Sequence, residues 1–125
     1  MKTVFFANTD WYLYNFRLDL AKFLRNHGWE VVFMAPPGEY GDRIEREGFR
    51  LIPFSRKGIN PFTERQTISR IRKIYEIEKP DVVHQFTIKC VIYGSLAAKK
   101  SGISTIINSI TGLGYVFLGT TIDAK

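Results

Sequence analysis

The sequence predicts an α/β fold: a Rossmann-like, three-layer αβα domain on a parallel sheet of about five strands, order 3-2-1-4-5. Three observations carry this. Five short apolar runs alternate with helix-like stretches along 125 residues. The runs are apolar almost throughout, as strands covered on both faces must be. The connections are short, so the strand–helix–strand units close as right-handed crossovers.

The first strand spans residues 3–7. A helix over 15–27 follows, with Phe16, Leu20, Phe23 and Leu24 inward and Arg17, Lys22 and Arg25 outward. Gly28 ends it. Strand two covers 30–35, and a short helix over 39–47 stops at Gly48. Strand three covers 50–54. Residues 56–62, with Gly58, Asn60 and Pro61, read as a candidate mobile loop. Thr63 and Gln66, three apart, predict a capping box opening a helix over 63–79. Its inner face is Ile68, Ile71, Ile74 and Tyr75, and Pro80 follows it. Strand four covers 81–85. The next helix, Ile88–Lys100, carries Gly94, Ser95, Ala97 and Ala98, small residues that let a helix lie close on a sheet. Gly102 closes it, and strand five covers 104–108.

Composition narrows the class. At 45% hydrophobic and 14% aromatic residues, one domain of this length buries a proper core. No run of 18 apolar residues occurs, and the N-terminus does not read as a secretory signal. The single Cys90 excludes an internal disulfide and fits a reducing cytosol. It reads as a small buried hydrophobe. Net charge is +6, concentrated in segment 56–73. There Arg56, Lys57, Arg65, Arg70, Arg72 and Lys73 face Glu64 alone. The segment is either a solvated helix face or a patch for anionic lipid headgroups or a phosphorylated substrate. It has few interleaved aromatics and no nucleic-acid motif, so no nucleic-acid partner is expected.

In such a sheet ligands bind at the carboxyl ends of the strands. Three loops there stand out. The first, Asn8-Thr9-Asp10-Trp11-Tyr12-Leu13-Tyr14-Asn15, lacks a G-x-G-x-x-G pattern, which argues against NAD. It offers a carboxylate, amides and aromatic rings that suit a sugar or a prenyl-linked head group. The alternative is that Trp11, Tyr12 and Tyr14 pack over the first helix while Asp10 caps it. Arg17, in the first helical turn, opposes the helix dipole, which favours anion binding. The second loop is His84-Gln85-Phe86-Thr87-Ile88-Lys89. His84 is a satisfied core residue, a substrate hydrogen-bonder or a proton shuttle. Thr87 can cap the following helix. Lys89 opposes its dipole unless it holds a phosphate or carboxylate. The third loop, Thr111-Gly112-Leu113-Gly114, is a tight turn or a backbone cradle for a ligand. No cluster has metal-ligand spacing, and no P-loop or nucleophile elbow occurs. Neither a metal nor a cofactor is expected.

These words in this order resemble the N-terminal domain of family-4 glycosyltransferases of the GT-B fold, most similarly the bacterial enzymes of surface-polysaccharide and lipid-linked oligosaccharide synthesis. The resembling stretches are Asn8-Thr9-Asp10 with Tyr14-Asn15-Phe16-Arg17, Ala35-Pro36-Pro37-Gly38-Glu39-Tyr40, and Asp81-Val82-Val83-His84. Thr87-Ile88-Lys89, Tyr93-Gly94-Ser95-Leu96-Ala97-Ala98 and Thr111-Gly112-Leu113-Gly114-Tyr115-Val116-Phe117 continue them. The resemblance implies a two-domain enzyme whose N-terminal domain binds the acceptor and whose C-terminal domain binds the nucleotide-sugar donor. Transfer is with retention and without metal, onto a lipid-linked or saccharide acceptor, at the cytoplasmic membrane face. It implies that Asn8, Asp10, Tyr14, Arg17, His84 and Lys89 line the acceptor cleft, with His84 and Asp10 as catalytic candidates. Thr111, Gly112 and Gly114 then face the donor phosphates, and the basic segment 56–73 faces the membrane.

Two departures from the family pattern stand out. Many members carry Gly-Gly after strand one, and this chain does not. Many carry His-x-His after strand four; here Phe86 takes the second position, which weakens a proton-transfer role for His84. The family's donor-site Glu-x7-Glu spacing recurs at Glu39 and Glu47 by coincidence, on the helix after strand two. The chain is therefore expected to be one N-terminal domain, residues 1–125, lacking the donor domain and inactive alone. The alternatives are a non-catalytic binding module, a subunit of a split glycosyltransferase, or an unrelated nucleotide-binding Rossmann domain.

Overall fold

The computed structural model describes residues 1–54 and 61–110, with backbone only at 61–63. Arg56, Lys57 and the Thr111–Gly112–Gly114 loop lie outside the described residues, as does most of the expected 56–62 loop.

Five strands form one parallel sheet in the order β3-β2-β1-β4-β5, the order expected. They are β1 (Lys2–Phe6), β2 (Glu30–Ala35), β3 (Arg50–Pro53), β4 (Val82–Phe86) and β5 (Thr105–Ser109). The sheet is central because β1, β2 and β4 are largely buried on both faces. One core layer joins Val4, Phe6, Met34 and Val83 to Ile71 and Tyr75. The opposite layer joins Phe5, Phe33 and Phe86 to Leu13, Ala21 and Ile44. β5 differs, since Ile107 is 44% exposed on this edge strand.

The helices are α1 (Asp10–Tyr12), a π-helical turn (Leu13–Arg17), α2 (Leu18–Asn26), α3 (Gly41–Arg46), α4 (Pro61–Glu78) and α5 (Ile88–Lys100). α4 begins at Pro61, two residues before the expected cap at Thr63. Proline suits a first helical turn, whose N–H groups have no partner within the helix. Gly28 and Gly102 end α2 and α5 at φ +89° and +75°, a backbone that side chains disfavour. Opposite the ligand edge, Glu78 on α4 binds Lys2 of β1 and Arg50 of β3. Hydrogen bonds from Arg50, then Lys2, hold its carboxyl down at about 2.

Among the described residues, no helix is long and apolar enough to cross a membrane. No His/Cys/Asp/Glu group among them could hold a metal. Cys90 is buried in the α4/α5 core layer.

Candidate functional site

The first helical unit starts five residues earlier than expected. Thr9, not Asp10, is its cap: the Thr9 hydroxyl accepts from the Tyr12 N–H at 3.1 Å. Trp11, Tyr12 and Tyr14 therefore stand on helical turns rather than in a loop. The π-turn then changes the face. A π-turn holds about one residue more than an α-turn, which rotates the side chains that follow. Phe16, expected inside, is 58% exposed and sits edge-on to Trp11 at 5.3 Å. Arg17, expected outside, is turned inward. Phe23 is also 58% exposed, so the apolar face of α2 rests on Ala21 with Leu20 and Leu24.

The Arg17 guanidinium carbon lies over the Phe86 ring, 4.6 Å from its centroid, a cation–π contact. One terminal nitrogen donates to the Tyr12 hydroxyl at 3.0 Å. Its Nε is buried without a hydrogen-bond partner, and no carboxylate among the described residues pairs with it.

His84 and Phe86 alternate on β4 and share its face, with rings 4.1 Å apart. His84 also meets the edge of Phe5 at 5.4 Å, and its Nε2 lies 2.9 Å from the Ser109 hydroxyl on β5. Burial first, and the Arg17 charge second, push its pKa down to about 4. At neutral pH His84 is therefore an uncharged hydrogen-bonding ring. Thr87, the N-cap of α5, has φ +66° and its side chain makes no cap bond. Its hydroxyl oxygen is buried with no partner. A β-branched residue in that region is strained.

Asp10 is 5% exposed, and its Oδ2 accepts from the Tyr40 N–H at 2.9 Å. A Cβ on Gly38 would stand only 2.7 Å from its Oδ1. The geometry thus gives Asp10 a positioning task, tying α1 to the β2–α3 loop. Tyr14 stacks obliquely on Tyr40 at 5.3 Å, with Arg43 over the Tyr40 ring at 4.8 Å. A shallow hollow of about 380 Å³ lies between Tyr14, Arg43, Arg46 and Glu47. Asn8 and Lys89 are exposed, one after β1 and one in the first turn of α5. The fold thus brings Arg17 and His84 together on Phe86, whereas Asp10 and Tyr14 are engaged with Tyr40. On α4, Arg65, Arg70, Arg72 and Lys73 are exposed; Arg72 pairs with Glu76, and Arg70 lies over the Phe54 ring.

Sequence reading missed a second arrangement, on the other face of β4. Gln85 is fully buried and accepts at Oε1 from the Tyr75 hydroxyl at 2.9 Å. Its Nε2 donates to the Ser95 hydroxyl at 3.1 Å and to Asn108 Oδ1 at 2.8 Å. The Asn108 amide in turn donates to Ser95 at 3.1 Å. A Cβ on Gly94 would run into the Gln85 carbonyl, so α5 lies this close only through glycine. The available signal was a lone glutamine in an apolar strand facing a helix of small residues.

The chain is a parallel, Rossmann-like α/β domain with Arg17 and His84 at the carboxyl edge of its sheet, the edge at which such folds bind ligands. The particular kind is settled by comparison: the chain belongs to the glycosyl transferase 4-like family, which it matches over residues 2–122. Among curated proteins it is similar to the N,N'-diacetylbacillosaminyl-diphospho-undecaprenol alpha-1,3-N-acetylgalactosaminyltransferase of Campylobacter jejuni, 27% identical over 127 residues. That alignment covers 100% of this chain and 34% of the relative, so the chain spans about a third of the relative's length. Among solved structures, a glycosyltransferase of Rickettsia africae superposes with a TM-score of 0.70 at 14% identity, covering 99% of this chain and 35% of that one. MurG of Acinetobacter baumannii gives 0.65 at 22%, covering 86% and 34%. These two likenesses concern the fold, which is that of the GT-B glycosyltransferases expected from the sequence.

Proposed function

We propose that residues 1–125 form the acceptor-side domain of a retaining glycosyltransferase that moves a sugar from a nucleotide-sugar onto a lipid-linked or polysaccharide acceptor. The observation that carries this is the likeness, along the whole of this chain and a third of the relative, to a transferase named for a diphospho-undecaprenol saccharide acceptor. The edge geometry agrees with it. Exposed Trp11 and Phe16 rings offer an apolar shelf for a sugar or prenyl chain, and Arg17 offers an unmatched cation beside it. His84, uncharged, hydrogen-bonds rather than shuttles protons. On this reading the nucleotide-sugar is held outside residues 1–125. Residues 1–125 alone then do not turn over, because half a cleft neither orients both reactants nor excludes water. The exposed cations of α4 suit an anionic membrane face, where such acceptors reside.

The test is a ligand titration followed by NMR. A short-chain prenyl-diphosphate saccharide is expected to shift signals of the β1 and β4 edge, while nucleotide-sugars leave them unmoved. Saturable nucleotide-sugar binding at that edge, or transfer by residues 1–125 alone, would overturn this reading.

A further inference from the structure

We propose that the hollow between Tyr14, Arg43, Arg46 and Glu47 is a saccharide subsite that takes a sugar bearing a carboxylate, such as a uronic acid residue of an acidic glycan. The inference rests on the acceptor-side reading above and adds a class of sugar to it. The hollow lies between the π-turn and α3, apart from the Arg17 and His84 contacts on Phe86. Its lining residues are exposed or half-buried, so a ligand reaches them.

Charge is the first observation. Arg43 and Arg46 stand three apart in the last turn of α3 and share a face, while Gly41 and Ile44 take the inner one. Like charges at that spacing repel. Neither guanidinium forms an ion pair among the described residues. The carboxylate on the same rim is already committed, since Lys22 of α2 pairs with Glu47 Oε2 at 3.0 Å. The rim thus carries two cations without a counter-charge beside one neutral pair.

The second observation is that these groups are held in place. Asp10 accepts from the Tyr40 N–H at 2.9 Å, and the Tyr40 ring lies 5.3 Å from that of Tyr14. Arg43 rests 4.8 Å over the Tyr40 ring and 5.9 Å from the centre of Tyr14. On the opposite wall Arg25 donates to the Glu47 backbone carbonyl at 2.6 Å. Groups fixed before binding lose less freedom on binding.

The donor and acceptor set selects the ligand. A guanidinium donates in a planar fork that matches a carboxylate. The Tyr14 hydroxyl both donates and accepts, and Glu47 Oε1 remains to accept from a sugar hydroxyl. Bare phosphate would set only acceptor oxygens against that acceptor, whereas a sugar brings hydroxyl donors. The volume of about 380 Å³ is at the small end of ligand sites, which run from roughly 300 to 1,000 Å³. A shallow hollow with this polar lining suits a sugar ring better than an apolar group.

The experiment titrates the chain with glucuronate, glucose and inorganic phosphate, and follows the Arg43 and Arg46 Nε–H signals and the Tyr14 amide by NMR. Glucuronate is expected to move all three in a saturable way. Phosphate is expected to move only the arginine signals and to bind more weakly, and glucose to move none. R46Q and R43Q are each expected to weaken glucuronate binding on the order of tenfold, the loss of charge-assisted bonds. R46K is expected to keep part of the affinity, because it retains the charge and loses the fork. Urea midpoints are expected to stay unchanged in all three variants, whose positions are exposed. Glucuronate affinity unchanged in both R43Q and R46Q would overturn the subsite. Phosphate binding as tightly as glucuronate, or glucose moving the same signals, would overturn its assignment to a carboxylate-bearing sugar. If a prenyl-diphosphate saccharide binds the β1 and β4 edge but glucuronate does not bind the hollow, the subsite fails while the acceptor reading stands. If glucuronate needs Arg43 and Arg46 while that saccharide does not bind, the subsite stands and the acceptor reading fails.

Discussion

Gln85 and its neighbours His84 and Phe86 stand on the same strand and face opposite layers. On the α4/α5 side, Gln85 is sealed among Tyr75, Ser95 and Asn108, and its carbonyl and amide are both matched. On the α1/α2 side, Arg17 buries an Nε that nothing among the described residues matches. Both sides are polar inclusions in an apolar fold, but they differ in completeness. A closed network fixes the strand and helix register. An open one stores unsatisfied bonding capacity at the edge where a parallel sheet receives ligands. The contrast separates the structural glutamine from the site one residue away on either side.

The contrast is most sharply broken by removing Gln85. Gln85→Leu is expected to destabilise the fold by about 3 kcal/mol, since it leaves the buried Tyr75 hydroxyl unmatched and removes the bonds to Ser95 and Asn108. Gly94→Ala is expected to cost about 2 kcal/mol by pushing α5 off the glutamine. Both would appear in urea unfolding, and a loss below half a kcal/mol in either would mean that the network does not hold the layer.

Next in size is a pH effect that divides the molecule into two windows. His84 has a folded pKa of about 4 against its ordinary 6.5. Between those values the unfolded chain takes up a proton that the folded chain refuses, so stability is full above 6.5 and falls as pH drops towards 4. Glu78 is ordinarily at 4.5 and is held at about 2, so its ion-paired contribution is lost over that lower range. His84→Asn is expected to flatten only the upper window, in urea midpoints measured from pH 7 down to 3. A single window that survives the substitution unchanged would refute the assignment.

The smallest effect has the opposite sign. Thr87→Gly relieves the positive φ, and is expected to stabilise the fold by up to about 1 kcal/mol. A raised urea midpoint would identify Thr87 as a point of backbone strain. A destabilised variant would count against that strain.

The layout was legible in the sequence because it depends on pattern. Unbroken apolar strands, the Gly28 and Gly102 stops and the short crossovers fix five parallel strands and their order. The errors lie where one residue shifts a helical phase. A Thr9 cap and a π-turn are not visible in hydrophobic spacing, so Phe16 and Arg17 exchanged faces. Arg17 and His84 were named from their positions at strand and helix ends, and the fold brings both to Phe86. Asp10 was named from the same kind of position, but the close packing of Gly38 and Tyr40 engages it. The Gln85 network was invisible because its partners come from three separate elements, α4, α5 and β5.

The π-turn over Leu13–Arg17 also has a meaning for descent. It amounts to a single extra residue inside a helix. Deleting one codon there would restore an ordinary turn, return an aromatic ring to the interior and expel the cation. The difference between an inward cation and an inward aromatic ring is, at this position, one amino acid in length rather than any change in composition.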